Sequence, residues 1–357
     1  MRIVWLLVLA LGCPQSHELV VTPTPDAAVD APLVELPDGN LPPSEPVPCG
    51  RPLDVLLVID DTPDSVGVQR RLARDLPVFL DRLASERAFD DVHVAVVSPD
   101  LGSGIYEVGS CRMGFGHDGV LGAGREGVCA SAEPWSTLPG SSFEALRCLP
   151  ELGTDGCGWE QPLEAALKAM TSSRDSLRFA AGTTGHADGA NAGFFRPGAK
   201  LAVIVATNED DCSARDPEAF DPFSPRYSES LPTRCWRREA DALHSAHRYV
   251  DGLLRGRSAR DVVFLALAGV PLDADSLPAA EQLGHPEMRI RLNDVTPDRP
   301  MPSCVDDEVE AYPARRFVTV ADGLVRRGAR ARVRSACRDS YAPALDDLVE
   351  DLTEDCR

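Results

Sequence analysis

The sequence predicts an α/β protein, a doubly wound, mostly parallel sheet with long loops stapled by disulfides. Three observations predict it. Nearly unbroken aliphatic runs recur at 53–59, 92–100, 200–207 and 261–270, the pattern of strands buried on both faces. Amphipathic stretches at helical spacing lie between them, as crossovers between parallel strands require. Eleven cysteines punctuate the chain with no Cys-x-x-Cys pair among them. That usage suits an exported, disulfide-bonded protein and not a zinc ribbon or a thioredoxin-like enzyme.

At 357 residues the chain has enough length for a substantial core. A formal charge of -20 leaves no basic footprint for a phosphate backbone, so no nucleic-acid partner is expected. Met1 and Arg2 precede an apolar run over 3–11 that is too short to span a bilayer, and residues 1–12 read as a signal peptide. The run closes as Leu9-Ala10-Leu11-Gly12-Cys13, which resembles the lipobox of bacterial lipoproteins with Ala10 where leucine is usual. The resemblance implies lipidation of Cys13 and anchoring in a bacterial cell envelope, at the outer membrane, with no other membrane contact. Cleavage at a small-residue site instead would give a secreted protein. Lipidation would leave an even set for pairing, Cys49, Cys111, Cys129, Cys148, Cys157, Cys212, Cys235, Cys304, Cys337 and Cys356. Residues 13–48 form the tether. Positions 14–48 hold nine prolines, six acidic residues and no Lys or Arg, a composition that cannot pack a core. The folded domain is expected over 49–357.

The first strand, 53–59, runs into Asp60-Asp61-Thr62-Pro63-Asp64-Ser65. A helix of roughly 65–86 follows, with Val68, Leu72, Leu76, Phe79 and Leu80 on one face. Asp60, Thr62 and Asp64 thus stand at the carboxyl end of a strand, where open α/β sheets bind ligands. Hard oxygens in that place suit Mg²⁺ or Ca²⁺. The same residue types also turn the chain and cap helices. The segment resembles the first strand and metal loop of von Willebrand factor A-type (vWA) domains, whose metal-ion-dependent adhesion site reads Asp-x-Ser-x-Ser. Here the pattern is Asp60-x-Thr62-x-Asp64, and the resemblance, closest to cysteine-rich vWA-like bacterial lipoproteins, covers roughly 50–355. It implies a vWA/Rossmann-like sheet and a binding module, not an enzyme. An acidic side chain of a protein partner would complete the coordination of the ion.

The later segments supply the remaining expected ligands. A helix opens at Pro162, and in vWA domains the loop before it carries a threonine ligand. Glu160 is the substitute here, with Thr154 the weaker alternative and a first-turn carboxylate the plain reading of Glu160. The run 200–207 ends in Asn208-Glu209-Asp210-Asp211. Asn208 takes the place of the family's aspartate, while Glu209 and Asp210 stand ready to act through water. Cys212 and Cys235 flank a local excursion and are expected to pair. In the helix expected over 239–254, His244-x-x-His247 has no glutamate after the first histidine and no third ligand, which argues against zinc. Residues 317–320 read as a last strand. A closing helix over 342–352 lies between Cys337 and Cys356, a pair that would tie it to the sheet. No Gly-x-Ser-x-Gly or Walker pattern occurs, so no catalytic residue is assigned. The alternatives to a cation-binding module are a metal-free interaction domain that kept the fold and, far behind it, a Mg²⁺-dependent hydrolase.

Overall fold

The computed structural model describes residues 50–356 except 86–88, 125–132, 139, 142–145 and 293–297. Cys13, Cys49, Cys129, the signal peptide and the tether lie outside the described residues. In chain order the main elements are β1 (Arg51–Ile59), α1 (Val66–Ser85), β2 (Phe89–Val97), β3 (Trp135–Leu138), α2 (Pro162–Met170), β4 (Lys200–Ala206), α3 (Leu231–Arg237), α4 (Ala246–Leu253) and β5 (Val262–Ala268). They continue with β6 (Cys304–Val305), β7 (Glu310–Ala311), α5 (Arg315–Arg326), β8 (Arg330–Ser335) and α6 (Ala342–Thr353). Six strands form one sheet in the order β3-β2-β1-β4-β5-β8, and β6 pairs with β7 alone. Every pairing in the large sheet is parallel apart from β2 with β3.

β1 lies at the centre because both of its faces are apolar. Leu53, Val55, Leu57 and Ile59 pack with Leu72, Leu76 and Leu80 of α1 and Leu345, Leu348 and Leu352 of α6. Leu56 and Val58 point the other way, into a core built with Leu163 and Leu167 of α2, Tyr249 and Val250 of α4, and Phe317 and Leu324 of α5. Helices therefore cover both sides, which a mostly parallel sheet requires. The strand order turns back between β1 and β4, the kind of place where the carboxyl edge of a sheet opens a crevice. Ile59 pairs with Ala206 across that step. The next residues, Asp60 and Thr207, consequently emerge side by side.

Four expectations need correction. Residues 317–320 are helical, inside α5, because Phe317, Val318, Ala321 and Leu324 recur at helical spacing and bury one face. The last strand is β8, whose Arg330, Arg332 and Arg334 alternate along a sheet edge and pair with Asp355, Asp351 and Asp347. The helix expected over 239–254 is broken, with Ser245 capping α4 through a bond accepted from the His247 N–H. Cys337 does not pair with Cys356. It lies at disulfide distance from Cys304, and the twelve residues of α6, about 18 Å of helix, separate it from Cys356. Cys212 and Cys235 do lie at disulfide distance, as do Cys111 and Cys157.

One backbone crossing fixes the edge of the site. A Cβ on Gly269, just past β5, would fall 1.7 Å from the Tyr312 carbonyl oxygen, and Gly269 O accepts the Ala314 N–H at 3.0 Å. Because the clash is with backbone, Gly269→Ala is expected to cost about 2–3 kcal/mol, measurable as a lower urea midpoint at unchanged slope.

Candidate metal centre at the carboxyl edge of the sheet

The loop after β1 is held from behind. Ser65 Oγ donates toward the carbonyl oxygens of Asp60 and Thr62 at 2.9 and 2.8 Å, and Gln69 Nε2 donates to Asp60 O and Gly153 O, both at 2.7 Å. With its backbone so engaged, the loop turns its side chains to a common point. The Thr62 hydroxyl makes no cap bond to the turn that follows. It lies instead 2.6 Å from Asp60 Oδ1, 3.0 Å from Asp64 Oδ1 and 3.2 Å from Glu160 Oε1. From β4, the Thr207 hydroxyl lies 2.8 Å from Asp60 Oδ2 and 3.0 Å from Glu160 Oε2, and it accepts the Glu209 N–H at 2.9 Å. Asp60, Thr62, Glu160 and Thr207 are buried, while Asp64 is exposed and marks the open side.

Glu160 reaches this point through a loop tied on three sides. Gly156 N donates to Asp61 O at 2.8 Å, Gln161 N to Pro99 O at 3.1 Å, and Cys212 N to Glu160 O at 2.9 Å. The Cys111–Cys157 pair lies just upstream.

A proton count defines the chemistry. Two threonine hydroxyls face five carboxylate-oxygen contacts, and each hydroxyl has one proton to give. The Thr62 N–H adds a donor to Asp60 Oδ1 at 2.9 Å; the oxygens still unmet demand either protons of their own or a cation. Among the described residues no basic side chain forms an ion pair with Asp60, Asp64, Glu160 or Glu209. Burial raises the Asp60 carboxyl above its usual range, with hydrogen bonding to Glu160, Thr62 and Thr207 opposing. It raises Glu160 further, and the charge of Asp60 adds to the effect. Glu209 is pushed up to about 8 by burial and by the charges of Asp64 and Asp60, with Arg299 opposing. Such a cluster favours a positive guest.

No family model matches this sequence, and no curated protein is similar to it at a significant level.

The edge thus brings together Asp60, Thr62, Asp64 and Glu160 of the expected ligands, with Glu209 close in charge. Of the two others, Asp210 is engaged elsewhere and Asn208 only through its donors and backbone. The Asn208 amide nitrogen donates to Glu310 O at 3.1 Å and its backbone oxygen accepts the Tyr312 N–H at 2.8 Å, while its side-chain Oδ1 is buried with no partner. Asp210 accepts the Arg316 N–H at 3.0 and 3.1 Å, at the start of α5, and burial pushes its carboxyl up to about 7. Thr154 lines a neighbouring cavity. Thr207 is the residue that sequence reasoning did not single out; its signal was a threonine one residue past an aliphatic strand. His244 sits beside Glu164, 3.7 Å from its Oε1. Burial, helped by Arg248, pushes its ring down to about 3. A separate group, Asp273, His285 and Glu287, has ligand atoms within 4.8 Å of one another, enough to reach a shared ion. His285 Nδ1 there already accepts the Glu287 N–H.

Proposed function

We propose that this chain is a cell-envelope lipoprotein whose domain, residues 49–357, is a doubly wound vWA-like sheet with disulfide-stapled loops. Its role is adhesion or protein interaction through a divalent cation held at the carboxyl edge. Asp60, Thr62, Asp64, Glu160 and Thr207 would hold Mg²⁺ or Ca²⁺, with Glu209 close by and a carboxylate of a protein partner completing the shell. One observation carries the reading: five carboxylate-oxygen contacts share two hydroxyl protons, and among the described residues no basic side chain forms an ion pair with Asp60, Asp64, Glu160 or Glu209, Arg299 acting on Asp64 and Glu209 only from a greater distance. The donors are hard oxygens with at least two carboxylates among them, the chemistry that both ions prefer. A bound ion supplies a Lewis-acidic position for the partner's oxygen.

A metal-free interaction domain is the second reading, and Asn208 favours it. Where a third carboxylate would add charge, this chain has a neutral amide whose nitrogen donates to the Glu310 carbonyl and whose buried Oδ1 offers one uncharged acceptor. Titrating Mg²⁺, Ca²⁺ and Mn²⁺ into chelator-treated protein separates the two. A cation that binds only the native state adds about 2.7 kcal/mol at a hundred times its Kd, so the melting temperature should rise and saturate. Asp60→Ala should abolish that rise. A wild type indifferent to millimolar cation, or an Asp60→Ala that responds equally, removes the metal from the reading. The anchor is checked separately: mass spectrometry of the mature protein is expected to find an acylated Cys13 at its start.

A further inference from the structure

Arg299 stands near the open side of the proposed centre, on the stretch that leads into β6. Its backbone is held on both sides. Asp298 Oδ1 accepts the Ser230 hydroxyl at 2.6 Å, and the Met301 N–H donates to Arg291 O at 2.6 Å. Tyr312 steadies the side chain. The Tyr312 hydroxyl donates its one proton to Glu310 Oε1 at 2.7 Å and is left to accept from Arg299 Nη1 at 3.5 Å. Burial, and then Glu310, push that hydroxyl up to about 12, so it keeps its proton at neutral pH. Tyr312 is in turn fastened to the loop after β4. Its N–H donates to Asn208 O at 2.8 Å, and the Asn208 amide nitrogen donates to Glu310 O at 3.1 Å. Arg299 itself is exposed, and it lies within electrostatic reach of the two outer carboxylates. The bond to Tyr312 does most to hold it charged, and Asp64 and Glu209 add to this against burial.

A charge count gives this guanidinium a task. The carboxylates of Asp60, Asp64, Glu160 and Glu209 face the two charges of a divalent ion, and even with Glu209 protonated the loaded centre has no positive surplus. The chain as a whole is acidic too, at -20. A partner's carboxylate nearing that edge meets repulsion that a neutral amide or hydroxyl does not. Selecting an acidic group therefore needs a cation beyond the ion itself. We propose that Arg299 reads the partner: its guanidinium receives the carboxylate that a protein partner brings to the centre, and so selects aspartate or glutamate over their amides. The inference rests on the cation-binding reading above and adds to it the source of selectivity. A guanidinium suits the task, because its planar fork matches a carboxylate. The same positive charge opposes the metal ion. Removing it should thus act in opposite directions on the two ligands.

Two end-blocked tripeptides test it, one with glutamate between two alanines and its glutamine twin. Each is titrated calorimetrically into mature protein saturated with whichever of Mg²⁺ and Ca²⁺ raises its melting temperature more. Saturable millimolar binding of the glutamate peptide is expected, with the glutamine twin about tenfold weaker. Arg299→Ala should weaken the glutamate peptide about tenfold. Arg299→Lys keeps the charge, loses the fork and should fall between the two. Melting curves without peptide supply the second readout: Arg299→Ala should bind the cation about twofold tighter than wild type at low ionic strength. A damaged fold would lower both affinities together, so the opposite signs separate recognition from damage. Three results overturn the proposal while leaving the cation in place: no binding of the glutamate peptide to loaded protein, equal binding of the glutamine twin, or equal peptide affinity in wild type and Arg299→Ala. A wild type whose melting temperature ignores both cations at millimolar levels removes the metal reading and this inference with it, so the two failures are told apart.

Discussion

Arg316→Ala is expected to destabilise the protein by about 3–5 kcal/mol, because it strands a buried carboxylate. Arg316 is almost wholly buried at the start of α5. Its Nε donates to Asp211 Oδ2 at 3.0 Å, its Nη1 to Glu239 Oε1 at 3.1 Å, and its Nη2 to His244 O at 2.7 Å. Asp211 has no solvent exposure and also accepts the Leu163 N–H at 3.0 Å, so one carboxylate ties the starts of α2 and α5 to the loop after β4. Losing the guanidinium leaves that charge without its counterion. An exposed pair behaves differently: Arg327 and Asp251, each more than half exposed, should contribute under about 1 kcal/mol. The control is the double change Arg316→Met with Asp211→Asn, which removes both charges and should recover much of the loss. Urea denaturation reads both. A cost below about 1 kcal/mol for Arg316→Ala would mean that Asp211 finds another partner or a proton. Because the same loop carries Thr207 and Glu209, the cation affinity proposed for that edge should fall with stability in the single variant and return in the double.

The parts of this architecture that were legible were those governed by local pattern. The runs at 53–59 and 200–207 could hardly be anything but buried strands, and each ends in oxygen-bearing residues. β8 was hidden for the opposite reason. Three arginines occupy its alternating positions, and only the acidic residues of α6 and of the turn after it make that pattern a strand edge. Residues 317–320 invited a strand because Phe-Val-Thr-Val has high β propensity, yet burial on the sheet selects the helical period. At the site, the first loop was legible because its residues are adjacent in sequence. Glu160 and Thr207 arrive from 98 and 147 residues away on the Thr62 and Asp60 sides respectively, and only strand register decides that they meet. Asn208 and Asp210 looked equivalent to their neighbours in sequence. The β6–β7 hairpin takes the Asn208 amide nitrogen and α5 takes Asp210, through hydrogen bonds to backbone groups more than a hundred residues distant. Such partners follow from topology and are not encoded near the residues themselves.

Glu160→Gln is expected to reverse sign with conditions, and it therefore tests the proton count directly. In chelator, a carboxyl whose folded pKa is raised binds its proton more tightly in the native state than in the unfolded chain. The stability it allows is complete below the ordinary glutamate value of 4.5 and declines as pH rises toward the folded value. Glu209, pushed up to about 8, extends the same decline through neutrality. Each pH unit of uncompensated ionisation amounts to about 1.4 kcal/mol. Glutamine at 160 does not ionise, and its amide adds donors beside the Thr62 and Thr207 hydroxyls, which frees their protons for Asp60 and Asp64. Without cation, Glu160→Gln should match wild type near pH 5 and exceed it at pH 8, because the wild-type carboxyl has by then lost the stability its raised pKa allowed. On the proposed cation reading the order should invert with saturating Mg²⁺ or Ca²⁺, because an ion held there would stabilise only the protein that still offers the second buried carboxylate. A variant less stable than wild type at pH 8 in chelator would mean that Glu160 serves as a structural acceptor and not as half of an unsatisfied pair. The pH dependence distinguishes these outcomes because a simple packing defect would lower stability at both pH values alike.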